Sequence, residues 1–237
     1  MYGGYPMMGL FDPTFLLVIA GLVITGLASS YVNRTFKKYD QLKSRNGVTG
    51  TQAAQYILQN QGINDVGVQQ IAGDLTDNYN SGNKLLSLSE ATAQSTSVAA
   101  IGVAAHECGH AVQDAKHYIP LKLRAAIVPV ANIGSTVSLP LILIGVFVGW
   151  NQTLINLGIF AFSLALLFQL VTLPVEFDAS RRALSILREG NMLDQDELAA
   201  ARKVLIAAAL TYVAAALSTF LQLLRLVLLF GGNRRDD

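Results

Sequence analysis

Charged side chains are scarce in this chain of 237 residues: Asp, Glu, Lys and Arg make up 14% of it, while 52% of the residues are hydrophobic. In an ordinary soluble domain about a quarter of the residues are charged, so the composition argues against that class and favours a membrane protein. The net charge is only +1, and no basic block interleaved with aromatic residues runs along the chain. The sequence therefore carries no signature of a nucleic-acid-binding surface.

Cysteine and histidine are also rare. Cys108 is the only cysteine, which excludes an internal disulfide framework. A lone cysteine of this kind is more often a small core residue than a functional one. The chain has three histidines, and two of them, His106 and His110, are four residues apart.

Long apolar runs, by contrast, are abundant. Four segments contain no Asp, Glu, Lys or Arg and are close to the roughly 20 residues that cross the hydrocarbon core of a bilayer: residues 15–32, 127–150, 154–173 and 204–224. The leader before the first segment has no basic residue, and no small-residue cleavage site follows it, so we expect a retained anchor and not a signal peptide. The absence of charge inside the segments disfavours a channel or transporter, because an ion pathway needs such residues.

The basic residues are distributed unevenly around these spans. Nine lie within residues 33–126 and five within residues 174–203, whereas the leader and the short turn at residues 151–153 carry none. Because Lys and Arg are retained in cytoplasmic segments, we expect both polar segments to face the cytoplasm and both termini to lie outside. The tail opposes this orientation with Arg234 and Arg235, partly offset by Asp236 and Asp237.

The first polar segment contains signals for both helices and strands. Thr51 is the expected N-cap of a short helix, QAAQYILQNQ, that Gly62 terminates. Strands are predicted at Val66–Ile71 and Lys84–Leu88, separated by the turn-rich stretch DNYNSGN. A second helix is expected through VAAIGVAAHECGHAVQDA, with its N-cap at Ser95, Thr96 or Ser97.

This second helix contains an HExxH motif, His106-Glu107-Cys108-Gly109-His110. Histidines at i and i+4 project from the same helix face, so both imidazoles can reach one zinc ion. Glu107 is rotated off that face, so it can take a proton from a water that the metal activates and pass it to a leaving amine. A chance HExxH in a chain of this length occurs on the order of one time in a hundred, so we favour a metal site.

A catalytic zinc needs a third protein ligand and an open position. His117 is the remaining histidine, but the HExxHxxGxxH pattern requires Gly and His where this chain has Gln113 and Lys116. Glu176 in LPVEFDASRRAL is the alternative. Two predicted spans separate it from the HExxH helix, so both lie on the same side of the membrane. Pro174 also indicates the start of a helix there. A first-turn glutamate favoured by the helix dipole has the same pattern, so spacing alone leaves both interpretations open.

Three stretches together resemble the YugP-type neutral zinc metallopeptidase family of bacterial membrane proteins: AAHECGHAVQ, PVEFDASRRA and NKLLSLSEATAQSTSVAAIGVAAHE. The likeness extends from about Thr49 to the last span. That family is similar to the HtpX and CAAX prenyl peptidases, which use HExxH and a glutamate from a later Glu-x-x-Ala-Asp helix. The resemblance implies Zn²⁺ bound by His106, His110 and Glu176, with Glu107 as the catalytic residue.

The chain departs from the HtpX pattern at one position. Ala179 matches, but Ser180 stands where those peptidases have aspartate. We therefore expect Asp114 or Asp178 to orient a ligand histidine instead.

The resemblance also has implications for substrate binding. It implies that the strand before the metal helix is an edge strand that pairs with the substrate backbone, which would involve Lys84, Leu85, Leu86, Ser87 and Leu88. An ordinary edge strand of a small sheet explains the pattern equally well. A donor to the developing oxyanion can come from Arg181, Arg182 or Tyr79, although the two arginines also fit cytoplasmic positive-inside charges.

These features predict a mainly α integral membrane protein with about four transmembrane helices and a small cytoplasmic α+β zincin-like metallopeptidase domain. The predicted function is zinc-dependent cleavage of membrane or membrane-proximal proteins at a bacterial plasma membrane. The alternative is a zinc-stabilised scaffold that binds a partner and cleaves nothing, although such a site has no use for Glu107. The expected organisation is a leader with the first span (1–33), a metallopeptidase region (34–126), a transmembrane hairpin (127–173), a segment with the third ligand (174–203) and a last span with its tail (204–237).

Overall fold

The computed structural model describes residues 12–231. Within them the chain forms long and short helices and one small sheet. In chain order the elements are α1 (Phe15–Asp40), α2 (Gly50–Asn60), β1 (Gly67–Ile71), β2 (Asn78–Asn80), β3 (Leu85–Ser89), α3 (Glu90–Ala93), α4 (Val98–Ala115), α5 (Ile119–Phe147), α6 (Gln152–Glu189) and α7 (Gln195–Phe230).

Four of these helices, α1, α5, α6 and α7, are long and apolar enough to cross a membrane. Their most apolar 18-residue windows have mean hydropathies of 1.9 to 2.2. They coincide with the four predicted spans but extend into the flanking polar sequence. Only α5 ends earlier than predicted, at Phe147, because the chain turns at Trp150, which has a φ of 61°.

Pro174 does not begin a new helix, so the predicted boundary there is wrong. α6 runs from Gln152 to Glu189 with Pro174 inside it. A proline inside a helix removes one backbone hydrogen bond and crowds the preceding turn. Here the following turns are held by packing, since Val175, Ala179 and Ala183 have no exposed surface. The third predicted span and the part of the polar segment that carries Glu176 are therefore one helix.

The described residues divide into two compact units, and each unit draws on several helices. The helical unit contains the described residues of Met1–Leu27, Ala126–Leu170 and Val213–Asp237. The α+β unit contains Ala28–Ala125 and Val171–Tyr212.

Within the helical unit, α5 and α6 approach each other through small residues. A Cβ atom on Gly134 would lie 2.6 Å from the carbonyl oxygen of Ala161, and one on Gly158 would lie 2.7 Å from that of Ser138. Large apolar side chains remain exposed on the outside, with 84% of Phe147 accessible. Close backbone packing and an apolar exterior are typical of helices that are surrounded by lipid.

Helix α4 forms the centre of the α+β unit. Most of its residues are small, and they are almost all buried from Val98 to Gln113. Small side chains allow neighbouring elements to approach closely, so one buried cluster joins α4 to α2 through Ile57, to β3 through Leu86, to α6 through Leu187 and to α7 through Leu205. The HExxH motif therefore lies on a helix that is packed on several sides.

The N-caps of α2 and α4 explain where these helices begin. Thr49 caps α2, where Thr51 was predicted, because Thr49 and Gln52 form a reciprocal capping box. The Thr51 hydroxyl instead donates to a carbonyl of α3. Of the three candidates for α4, Ser97 is the cap, and its hydroxyl accepts a hydrogen bond from the backbone N–H of Ala100.

Strand β3 is the central strand of the sheet, whose order is β1-β3-β2. It pairs in parallel with β1 and antiparallel with β2. The predicted strands are present, displaced by about one residue, but the prediction of an edge strand at Lys84–Leu88 is wrong. The stretch predicted only as a turn forms β2 and covers that side of β3. The substrate-binding role suggested for Lys84, Leu85, Leu86, Ser87 and Leu88 thereby loses its premise.

Gly109 determines how closely α4 approaches α6. A Cβ atom there would lie 2.5 Å from the carbonyl oxygen of Ala179, a backbone atom that cannot rotate away. We expect Gly109→Ala to destabilise the protein by about 1 to 3 kcal/mol and to lower its thermal unfolding temperature. Gly102→Ala on the same helix is the matched control, because its Cβ would lie 3.5 Å from Ala201, an ordinary contact. Equal unfolding temperatures of the two variants would contradict this account.

Candidate metal centre

His106 and His110 lie on one face of α4. Their rings meet edge to face, with centroids 4.8 Å apart. The side chain of His110 is 9% exposed and that of His106 is 14% exposed. Since α4 is packed in the core of its unit, the positions of both imidazoles are set by the fold.

Glu176 reaches the two histidines from α6. Its Oε2 atom lies 3.2 Å from Nε2 of His106 and 3.6 Å from Nε2 of His110. Its Oε1 atom accepts a hydrogen bond of 3.1 Å from Nη1 of Arg124. The carboxylate is therefore oriented by Arg124, with one oxygen on the guanidinium and the other toward the imidazoles.

The three side chains fit a zinc ion. Among residues 12–231, the donor atoms of His106, His110 and Glu176 all lie within 4.8 Å of one another. Two donors of a tetrahedral zinc ion, each about 2.0 to 2.2 Å from the metal, are about 3.4 Å apart. The separations of 3.2 and 3.6 Å match that value. Two imidazoles and one carboxylate are also the donor set of catalytic zinc sites that keep a fourth position open.

A buried glutamine orients His110. Nδ1 of His110 lies 3.0 Å from Oε1 of Gln113. The amide nitrogen of Gln113 donates to the carbonyl of Val175 and to the carboxylate of Asp178, so its oxygen must face the histidine. Nδ1 of His110 is therefore the protonated nitrogen, and the lone pair of Nε2 is available to a metal.

Ser180 contacts His106 at the position where the HtpX pattern has aspartate. Its Oγ lies 3.1 Å from Nδ1 of His106. One helical turn separates Ser180 from Glu176, so both side chains face α4. A hydroxyl can accept the Nδ1–H as a carboxylate does, although it adds no negative charge to the histidine.

Asp178 is in direct contact with neither histidine. It accepts a hydrogen bond from Gln113 and forms ion pairs with Arg181 and Arg182. Asp178 thus acts on His110 only through Gln113. The ion pairs turn both guanidinium groups toward Asp178 and give no support for the oxyanion role predicted for Arg181 and Arg182.

Asp114 also contacts neither histidine. It accepts hydrogen bonds from the Tyr79 hydroxyl at 2.7 Å and from Nζ of Lys84 at 2.6 Å. Partial burial raises the pKa of Asp114, but these two bonds outweigh that effect and lower the pKa overall. Burial and the bond to Asp114 both raise the pKa of Tyr79. Asp114 therefore ties α4 to the sheet, and the Tyr79 hydroxyl predicted as an oxyanion donor is engaged there.

Burial also shifts the pKa of two other residues on α4. For His110, burial lowers the pKa, but the neighbouring carboxylates of Glu176 and Glu107 outweigh it and raise the pKa. For Cys108, burial raises the pKa of the thiol, which donates to the carbonyl of Ala54. Cys108 is a neutral core residue and not a metal ligand.

Glu107 lines a cavity of about 240 Å³ together with His106. Within residues 12–231 no hydrogen bond or ion pair engages its carboxylate. The rest of the cavity wall is largely apolar and includes Phe36 of α1 and Leu205 of α7, with Asp77, Thr211 and Tyr212 as its polar members. The carboxylate is thus free to act on a molecule in this cavity.

Sequence reasoning missed three residues of this centre. Gln113 was considered only because it excludes the HExxHxxGxxH pattern, although it lies three residues after His110 on the same predicted helix. Arg124 was interpreted only as one of the basic residues that indicate a cytoplasmic segment. No local signal links it to Glu176, which is 52 residues away. Tyr212 lies within a predicted span, where nothing in the sequence indicates a cavity.

Two comparisons relate the chain to known proteins. Residues 14–231 match the model of the family described as "Putative neutral zinc metallopeptidase". The chain is 42% identical over 221 residues to the "Putative membrane protease YugP" of Bacillus subtilis (strain 168), which covers 93% of this chain and 98% of that protein. No solved structure matches the chain. Both matches include the segments that carry His106, His110 and Glu176.

The third ligand can be tested by measuring the zinc content of purified variants. We expect Glu176→Ala to lose zinc, because it removes the oxygen that faces both imidazoles. His117→Asn is the matched control: His117 lies just beyond α4 with a φ of 55°, a conformation that Asn tolerates. It should retain the zinc of the wild type. Zinc loss in His117→Asn but not in Glu176→Ala would overturn the assignment.

The role of Ser180 can be tested by a zinc titration against a competing chelator. Partners that orient a ligand histidine typically contribute about 10-fold to 100-fold to metal affinity, and we expect Ser180→Ala to lose that factor. Ser185→Ala is the control, because Ser185 lies on the same helix and donates to Glu189 at the surface. If both variants bind zinc equally well, Ser180 does not orient His106.

Proposed function

The chain belongs to the neutral zinc metallopeptidase family, and we propose that it is a membrane-embedded, gluzincin-like endopeptidase. In this proposal the zinc ligands are His106, His110 and Glu176, and Glu107 is the general base. The observation that carries this proposal is the position of an unpaired glutamate next to the three-residue cluster. Glu107 and His106 open onto the same cavity. A purely structural zinc site needs neither an open position nor an adjacent base.

Each residue of the centre has a distinct part in the proposed hydrolysis. Zinc, when bound, supplies a Lewis acid that acidifies water and polarises a carbonyl. His106, His110 and Glu176 hold the ion, while Gln113 and Ser180 keep the imidazole Nε2 atoms available. Glu107 takes the proton from the attacking water as the new C–O bond forms. It then gives that proton to the amide nitrogen as the C–N bond breaks.

The cavity favours a substrate near the bilayer. Its apolar wall comes partly from Val32 and Phe36 of α1 and from Val204 and Ala208 of α7, two helices that are apolar enough to cross a membrane. Such a wall suits an apolar side chain of the substrate. The substrate class that we propose is therefore membrane proteins or membrane-proximal peptides. The distribution of basic residues supports a cavity on the cytoplasmic side.

Glu107→Gln separates a peptidase from a zinc-stabilised scaffold. We expect the variant to keep its zinc and to cleave peptides about 100-fold to 10,000-fold more slowly, because an amide cannot take a proton from water. Glu90→Gln is the control for a loss of carboxylate, since Glu90 is exposed on α3. Zinc content and cleavage of an apolar peptide library are measured on the same preparations.

The outcomes of this comparison are distinct. Slow cleavage with full zinc content, together with wild-type cleavage by Glu90→Gln, supports Glu107 as the base. Equal cleavage by wild type and Glu107→Gln would make the catalytic assignment wrong. A wild type that binds zinc and cleaves no peptide would favour the scaffold.

A further inference from the structure

A second groove lies between α6 and α7, and it shares one lining residue, Leu205, with the cavity that Glu107 lines. Its volume is about 480 Å³, which is within the range of about 300 to 1,000 Å³ typical of small-molecule sites. We define it as the α6–α7 groove by six of its residues: Phe177, Arg181, Arg188, Arg202, Ile206 and Leu210. Neither Glu107 nor any of the proposed zinc ligands lines it.

One end of the α6–α7 groove is cationic. Arg188 and Arg202 line both this groove and a smaller depression that continues it. Within residues 12–231 neither guanidinium forms an ion pair, whereas Arg181 is paired with Asp178. Among the described residues, the groove lining contains no Asp or Glu. This end is therefore complementary to an anion.

The other end of the groove is apolar. Phe177 lies 11 residues before Arg188 on α6, about 16 Å along the helix axis at 1.5 Å per residue, and Leu210 lies eight residues after Arg202 on α7. Phe177, Ile206 and Leu210 are 47%, 47% and 43% exposed. On α6, Phe177 follows shortly after the predicted span at residues 154–173. On α7, Ile206 and Leu210 lie within the predicted span at residues 204–224.

We infer that the α6–α7 groove binds an anionic phospholipid, with its phosphate at Arg188 and Arg202 and an acyl chain along Phe177, Ile206 and Leu210. A ligand with an anionic head and an apolar tail matches both ends of the groove. Basic pockets beside membrane helices bind anionic headgroups by this combination of charge and apolar contact. A soluble phosphate would leave the apolar end uncovered, and a peptide substrate must reach Glu107, which lies in the other cavity.

Native mass spectrometry of the purified full-length protein can test this inference. The probes are phosphatidylglycerol, zwitterionic phosphatidylcholine with the same acyl chains, and glycerol 3-phosphate, an anionic phosphate without chains. We expect tighter binding of phosphatidylglycerol than of phosphatidylcholine. We also expect no displacement of phosphatidylglycerol by equimolar glycerol 3-phosphate. An arginine near an anionic lipid contributes about fivefold to affinity, so Arg188→Gln/Arg202→Gln should bind phosphatidylglycerol about 25-fold more weakly.

The matched control is Lys116→Gln/Lys203→Gln. It also removes two exposed positive charges from the α+β unit, but neither residue lines the groove. It should bind phosphatidylglycerol as the wild type does. Zinc content verifies that each variant is folded. If the double arginine variant loses its zinc, the two single variants replace it, each with an expected loss of about fivefold.

Several results would overturn the inference. Unchanged affinity for phosphatidylglycerol in the folded arginine variants excludes Arg188 and Arg202 as headgroup ligands. An equal loss in Lys116→Gln/Lys203→Gln indicates general charge attraction and not a site. Displacement by glycerol 3-phosphate indicates a phosphate site without acyl recognition, and equal binding of phosphatidylcholine indicates apolar binding alone.

Discussion

The buried carboxylate of Glu176 is the group on which the rest of the centre depends. Only 1% of the residue is exposed, and an isolated buried charge would be strongly destabilising. Arg124 neutralises one oxygen, and the other faces Nε2 of His106 and His110. That arrangement requires α4 and α6 to approach almost to backbone contact, which Gly109 permits. The small residues of α4 are thus as necessary to the site as its histidines.

The residues that contact the proposed zinc ligands determine the charge around the centre. Gln113 orients His110 and sets its tautomer, and Ser180 contacts Nδ1 of His106. Both partners are neutral, so neither adds negative charge beside the proposed metal site. Asp178, which contacts Gln113, carries a negative charge, and its ion pairs with Arg181 and Arg182 balance that charge. The Glu107 carboxylate has no hydrogen-bond or ion-pair partner in the part of the chain that the structure describes, which leaves it free to take up and release a proton.

The uninterrupted α6 is apolar enough to cross a membrane and also contributes residues to the candidate metal centre. The same helix carries the apolar run at residues 154–173 and, beyond Pro174, Glu176 and Ser180. Residues of such long helices also line the cavity that contains Glu107 and the apolar end of the α6–α7 groove. The proposed substrate and the proposed lipid would therefore both contact helices that are apolar enough to cross a membrane.

The membrane class, the four apolar helices and the spacing of the HExxH motif could be predicted from the sequence, because composition, length and helical periodicity are local properties. The sequence also predicted β1, β3 and the start of α4 to within a few residues. Tertiary contacts were needed to show that β3 is central, that α6 continues through Pro174, and that Arg124, Gln113 and Ser180 contact the three proposed ligands. These features depend on contacts between residues far apart in the chain, where packing outweighs local preference.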